Sequence, residues 1–165
     1  MFLVLALLLA SSPPTDTYEV QATLQGLYDE ISQTLLQLSS DSDVDQLHDV
    51  LYTPDCVFVD ASGKQHPWAD MREQMLRMTK ADHVSEMVQR IQRVSLTPKG
   101  ATVIVQASTL HPVAKDGASS DAKDATLVTD ATTYRDTWVQ TAGAWRLQSR
   151  TQVGGPTRRG AESMP

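Results

Sequence analysis

The chain has 165 residues, 41% of them hydrophobic, and a net charge of −6. That is enough apolar material for the core of one ordinary domain. The acidic balance excludes a nucleic-acid groove, which needs clustered Lys and Arg to meet phosphates, and the pair Arg158 and Arg159 is too small to make one.

Phe2 to Ala10 form an unbroken apolar run, followed by Ser11, Ser12, Pro13 and Pro14. The run is too short for a stable membrane span, which takes about 20 residues in a helix. Its length suits the apolar region of a signal peptide, with small residues at Ala10, Ser11 and Ser12 for cleavage. No Lys or Arg precedes the run and Pro13 stands directly after it, which makes the leader atypical. The pattern predicts a signal peptide over 1–12, hence a secreted or periplasmic protein, and a cytoplasmic one if the run is not a leader.

Asp16 with Glu19 three positions on reads as a capping box. Val20, Leu24, Leu27, Ile31, Leu35 and Leu38 then recur at spacings of three and four, which predicts a long amphipathic helix with one apolar stripe. Ser39 to Asp43 breaks it. A shorter helix carries Val44, Leu47, Val50 and Leu51 and ends before Pro54. Cys56 to Asp60 is a short strand whose alternation puts Cys56, Phe58 and Asp60 on one face. After a turn at Ala61 to Lys64, His66 and Pro67 start a third helix with Trp68, Met71, Met75 and Met78 on one face.

Beyond Lys80 the signal turns extended. Val84 to Leu96 predicts a long strand, bent or bulged because its apolar phase slips. A turn at Thr97 to Gly100 leads to a strand over Ala101 to Leu110, and Pro112 to Ala125 is a long polar loop. Strands over Thr126 to Gln140 and Ala144 to Val153 form a closing hairpin rich in large rings and charges: Tyr134, Arg135, Asp136 and Trp138, then Trp145, Arg146 and Arg150. The domain is thus expected over 13–153, with a disordered tail over 154–165.

The order is α+β: three N-terminal helices packed into a strongly curved, mostly antiparallel sheet. Tyr52-Thr53-Pro54-Asp55-Cys56-Val57-Phe58-Val59-Asp60 with Gly63, Tyr134-Arg135-Asp136-Thr137-Trp138 and Gly143-Ala144-Trp145-Arg146-Leu147 give this order a more specific look. It resembles the nuclear transport factor 2-like superfamily, with its cystatin-like cone fold, in the SnoaL-like and calcium/calmodulin-kinase-association-like branch. The resemblance covers about residues 17–153. It implies a cone with an internal pocket, a small apolar or carbonyl-containing ligand and a homodimer. Activity is not implied, because members range from isomerases, cyclases and dehydratases to association modules.

Asp60 is the sharpest candidate. The resemblance implies a general base there, since it matches the position that carries one in the ketosteroid isomerase branch, and apolar walls would raise its pKa toward neutrality. The bland alternative is that Asp60 caps its own turn through the backbone of residues 61–63. The oxyanion donors of that branch are not matched: the helix position falls near Leu36, with Tyr28 two turns earlier, and the late-strand acid falls on Arg135, or on Asp136 if the register slips by one. Tyr28, Phe58, Trp68, Met75, Arg135 and Trp145 are the candidate ligand-binding residues. With Arg135 turned inward, the rings of Tyr134 and Trp138 would lie on the outer face and need a dimer partner to cover them. Arg135 with Asp136, or Arg150 with a neighbouring acid, could equally form structural ion pairs.

His48, His66, His83 and His111 are scattered, so neither a metal nor another cofactor is expected. Cys56 is the only cysteine; it allows no internal disulfide and reads as a buried small hydrophobe. These residues support a small-molecule-binding protein first. Behind it stand an enzyme on an apolar carbonyl substrate, with Asp60 as base, and a non-catalytic association module.

Overall fold

The computed structural model describes residues 16–38, 40–81, 86–113 and 126–160. Helix α1 (Thr17–Gln37) starts where Asp16 accepts a hydrogen bond from the Tyr18 amide. Its stripe buries Val20, Leu24, Ile31 and Leu38, with Leu27 and Leu35 partly covered, and adds Tyr28, which is fully enclosed. Helix α2 (Asp41–Leu51) carries a reciprocal capping box between Ser40 and Asp43. Strand β1 (Tyr52–Val59) follows without a break. A two-residue strand β2 (Gln65–His66) then precedes α3 (Trp68–Ala81), so His66 lies in a strand and not in the helix start.

Four long strands complete the sheet: β3 (Glu86–Thr97), β4 (Gly100–Val113), β5 (Thr126–Thr141) and β6 (Ala144–Gly160). The order is β2-β1-β6-β5-β4-β3, antiparallel throughout except that β1 runs parallel to β6. The architecture is the α+β cone, three helices against a curved six-stranded sheet. β3 carries the expected bulge, between Ile91 and Arg93. The closing hairpin turns at Ala142 and Gly143, both with positive φ (52° and 82°), a twist that suits a tight connection between right-twisted strands.

The expected tail is corrected over its first part. Residues 154–160 continue β6, because β5 is long enough to offer ladder partners: Ala131 pairs with Thr157 and Val128 with Gly160. The expected leader, residues 114–125 of the polar loop and residues 161–165 lie outside the described residues.

Register decides which side chains enter the cone. One row crosses all six strands: His66, Phe58, Arg150, Asp136, Val103 and Val94. Phe58, Asp136 and Val103 are buried, so this row faces the helices. The next row, Val59, Thr151, Arg135, Ile104 and Arg93, faces away. Arg135 is therefore exposed on the convex side. The inward assignment of Arg135 is wrong by one residue, and Asp136 takes its place. Trp138 lies inside at 0% exposure and Tyr134 is half-buried on the same face, so the rings need no second copy to cover them. At the free sheet edge, Gln25 of α1 stands in for a neighbouring strand. Its amide donates to the Gln89 carbonyl at 2.8 Å and accepts from the Ile91 amide at 3.0 Å.

Candidate functional site

The interior holds a connected set of polar side chains where an apolar core would be the default. Tyr28 Oη donates to Asp136 Oδ2 at 2.6 Å and accepts from the Trp138 indole N–H at 2.8 Å. The two rings meet edge to face, with centroids 5.5 Å apart. Arg150 grips Asp136 in a fork, Nε to Oδ1 at 3.0 Å and Nη2 to Oδ2 at 2.7 Å. Its Nη2 also donates to Gln89 Oε1 at 2.9 Å. Gln89 in turn donates to Ser32 Oγ, which donates to the Tyr28 carbonyl. Burial and the charge of Asp136 push the Tyr28 hydroxyl well above its ordinary pKa. Burial alone would lower Arg150, but the Asp136 charge outweighs it and holds the guanidinium above its usual value.

The network closes on every side but one. Among the described residues Nη1 of Arg150 has no hydrogen-bond partner, and the Arg150 side chain keeps 17% exposure. The guanidinium lies over the half-buried Tyr134 ring, 4.8 Å from its centroid. A fixed arginine with one free edge, beside an aromatic face, is a ready oxygen receptor.

A wall of mutually tilted aromatic rings flanks it. His48 and Trp68 rings lie 4.3 Å apart, Trp68 and Tyr52 5.2 Å, and Tyr52 and Phe58 5.8 Å. Phe58 is the direct cross-strand partner of Arg150. Trp68 and Met75 are partly buried against this core, as is Trp145 near the hairpin turn. Cys56, also buried here, has its thiol pushed up to about 12 by burial. His48 Nε2 and Thr53 Oγ1 are buried without a partner among the described residues.

Asp60 takes the turn-capping arrangement. Its Oδ1 accepts from the Ser62 amide at 2.8 Å, the Ser62 hydroxyl at 2.6 Å and the Lys64 amide at 3.0 Å, while Oδ2 stands 2.9 Å from His66 Nε2. The bonds from His66 and Ser62 hold the carboxyl well below the usual carboxylate range. A general base in an apolar site needs the opposite shift. His66 Nδ1 in turn lies 3.6 Å from Asp70 Oδ2. Among the described residues no three His, Cys, Asp or Glu side chains group as metal ligands. No described helix is long and apolar enough to cross a membrane.

A family model described as the SnoaL-like domain matches residues 28–151, from the Tyr28 of this network to one residue past Arg150. The chain belongs to the SnoaL-like family. That places it in the nuclear transport factor 2-like superfamily, and solved structures agree at the level of fold. A candidate scytalone dehydratase from Novosphingobium aromaticivorans superposes with a TM-score of 0.60 at 15% identity, covering 92% of this chain and 94% of that one. A protein of Kribbella flavida gives 0.58 at 18% identity, over 87% and 95%. A hexachlorocyclohexane dehydrochlorinase from Novosphingobium barchaimii gives 0.54 at 10%, over 89% and 93%. No curated protein matches the chain.

Of the residues singled out by sequence, this SnoaL-like cone brings Tyr28, Phe58, Trp68 and Met75 to its interior side. It sends Arg135 out and leaves Asp60 at the rim. Sequence reasoning passed over Gln89 and Ser32 as site residues and left Asp136 and Arg150 as candidate ion-pair partners. The signal for Asp136 was present: it shares strand parity with Trp138, the ring least suited to an exposed face.

Proposed function

We propose that this SnoaL-like protein binds a small, largely apolar molecule at the mouth of its cone and takes an oxygen of that molecule on Nη1 of Arg150. The free guanidinium edge carries this reading. Asp136 already balances the Arg150 charge, so the pair presents a neutral donor edge to the ligand. That favours a carbonyl or amide oxygen over a carboxylate. Tyr134 supplies a ring face beside it.

The test is a thermal-shift series with cyclic and aromatic ketones on the full chain. A ketone at about 100 times its dissociation constant adds roughly 2.7 kcal/mol, a rise of about 5–10 °C for a chain of this size. Arg150→Lys, checked by circular dichroism for an intact fold, should lose the gain. No shift with any ketone at millimolar concentration sinks the reading.

A second reading, an isomerase, cyclase or dehydratase acting on that carbonyl ligand, is favoured by the contact between His66 and Asp60. In it His66 moves the proton and Asp60 orients the ring. The names dehydratase and dehydrochlorinase of two structural neighbours denote eliminations, which begin with such a step. Solvent deuterium entering next to the carbonyl of a bound ketone, lost in His66→Gln, would support it; no exchange would leave binding alone. Export and a homodimer belong to the same proposal. N-terminal sequencing of expressed protein and sedimentation across concentrations test them.

A further inference from the structure

A concavity of about 530 Å³ opens between the first turn of α1, the β3–β4 turn and the β5–β6 hairpin. It is distinct from the mouth proposed at Arg150: along β5 it lies five residues beyond Tyr134, at Val139, about 17 Å by strand rise. Leu96 gives it an apolar wall and is 41% exposed although large and aliphatic. Trp145 adds a half-buried ring. Lys99, Gln140 and Gln148 stand around the same space.

These polar groups converge without satisfying one another. Among the described residues the Lys99 ammonium, the Trp145 indole N–H and the amides of Gln140 and Gln148 have no side-chain hydrogen-bond partner. The set of Tyr28, Asp136, Arg150, Gln89 and Ser32 inside the cone, by contrast, is tied together by hydrogen bonds. The walls are also preformed. A Cβ on Gly100 would stand 2.0 Å from the Trp138 carbonyl oxygen, so the turn is pressed onto β5 as only glycine allows. The backbone N–H of Gln140 then donates to the Lys99 carbonyl at 3.4 Å and ties the two turns together. A cleft of this volume, with an aromatic and aliphatic lining and a few convergent donors, has the make-up of a ligand site.

We propose that this cleft is a second binding site, independent of the mouth, for a small aromatic carboxylate. The ring would lie against Trp145 and Leu96, and the carboxylate would meet Lys99 and the glutamine amides. Charge complementarity selects the occupant: the one cationic side chain of the lining has no anionic partner among the described residues.

The probe is 2-naphthoate, titrated into the ¹⁵N-labelled full chain at low salt, with naphthalene-2-carboxamide as the uncharged comparison. Saturable amide shifts are expected over Leu96 to Gly100 and at Val139 and Gln140. Lys99→Gln, an exposed change that leaves the core untouched, should weaken naphthoate by about fivefold and leave the carboxamide unchanged. Trp145→Leu should weaken both by about tenfold. Shifts confined to Tyr134 and Arg150 would place naphthoate in the mouth and overturn the proposal. So would a non-saturable titration, or a Lys99→Gln variant that binds naphthoate as well as the parent. Loss of ketone binding at Arg150 would leave these results unaffected, so the two sites fail separately.

Discussion

Asp136 is sealed at 0% exposure and held by donors from α1 and β6, with Tyr28 lying 108 residues away in sequence. Asp60, at the end of β1, keeps 37% side-chain exposure and closes on donors no more than six residues away. Both carboxylates are held by several hydrogen bonds. The difference is what each bond set fixes. The bonds of Asp60 shape one turn and orient one histidine. Those of Asp136 join a helix to two strands and leave one edge of Arg150 without a partner among the described residues.

The comparison predicts its largest effect at Asp136. Asp136→Asn keeps the shape but leaves Arg150 without its counter-charge in a buried place, a loss of about 3–5 kcal/mol. Thermal unfolding should fall by about 10 °C or more. The same change combined with Arg150→Met should cost at least about 1 kcal/mol less than the sum of the single variants, because the two groups share one interaction. Strict additivity would mean the pair is not the unit described here.

Tyr28→Phe comes next. It leaves the Trp138 N–H buried without an acceptor and takes a donor from Asp136, for about 1–3 kcal/mol by urea denaturation. Cys56 reports on the same interior. With its thiol pushed up to about 12, only about one molecule in ten thousand is a thiolate at pH 8, so iodoacetamide should label the native chain through transient opening. Labelling should quicken in Asp136→Asn and Tyr28→Phe and stay at the parent rate in Asp60→Asn. Equal rates in all four proteins would erase the contrast between the two carboxylates.

How far each region could be read from sequence follows the same division. The α1 stripe, the β3 bulge and the turn at Gly143 are local patterns, and each stands where periodicity and turn chemistry put it. Asp60 as a turn former was legible for that reason: its partners Ser62 and Lys64 are neighbours in the chain. The Tyr28 to Asp136 bond is not local. It depends on the face of β5 that turns inward, and a shift of one residue exchanges Arg135 for Asp136. The far end of β6 escaped for a related cause. Gly154, Gly155 and Pro156 read as a tail on their own residues, and only the long partner strand β5, which pairs Gly154 with Thr133 and takes up the ladder again at Thr157, carries the strand through them. The two-residue β2 is too short to carry any periodic signal, yet it places His66 beside Phe58.

The smallest effect belongs to Asp60, and its sign with pH is fixed. Its carboxyl is held below the unfolded value by His66 and Ser62, so the folded state binds its proton less readily than the unfolded chain does. Its contribution to stability is therefore fully present above the unfolded carboxylate pKa of about 3.9 and fades as pH falls through that value toward the lower folded one. Measured as the difference in melting temperature between the parent and Asp60→Asn, the advantage should be level from about pH 5 to 6 and shrink steadily below about pH 4. It should remain well under the Asp136→Asn difference at every pH, because a partly exposed carboxylate loses much of its pairing energy to water. An advantage that grew on acidification would mean that the folded state favours a protonated Asp60. That would return to this residue the raised pKa a general base requires and move the catalytic question from His66 back to Asp60.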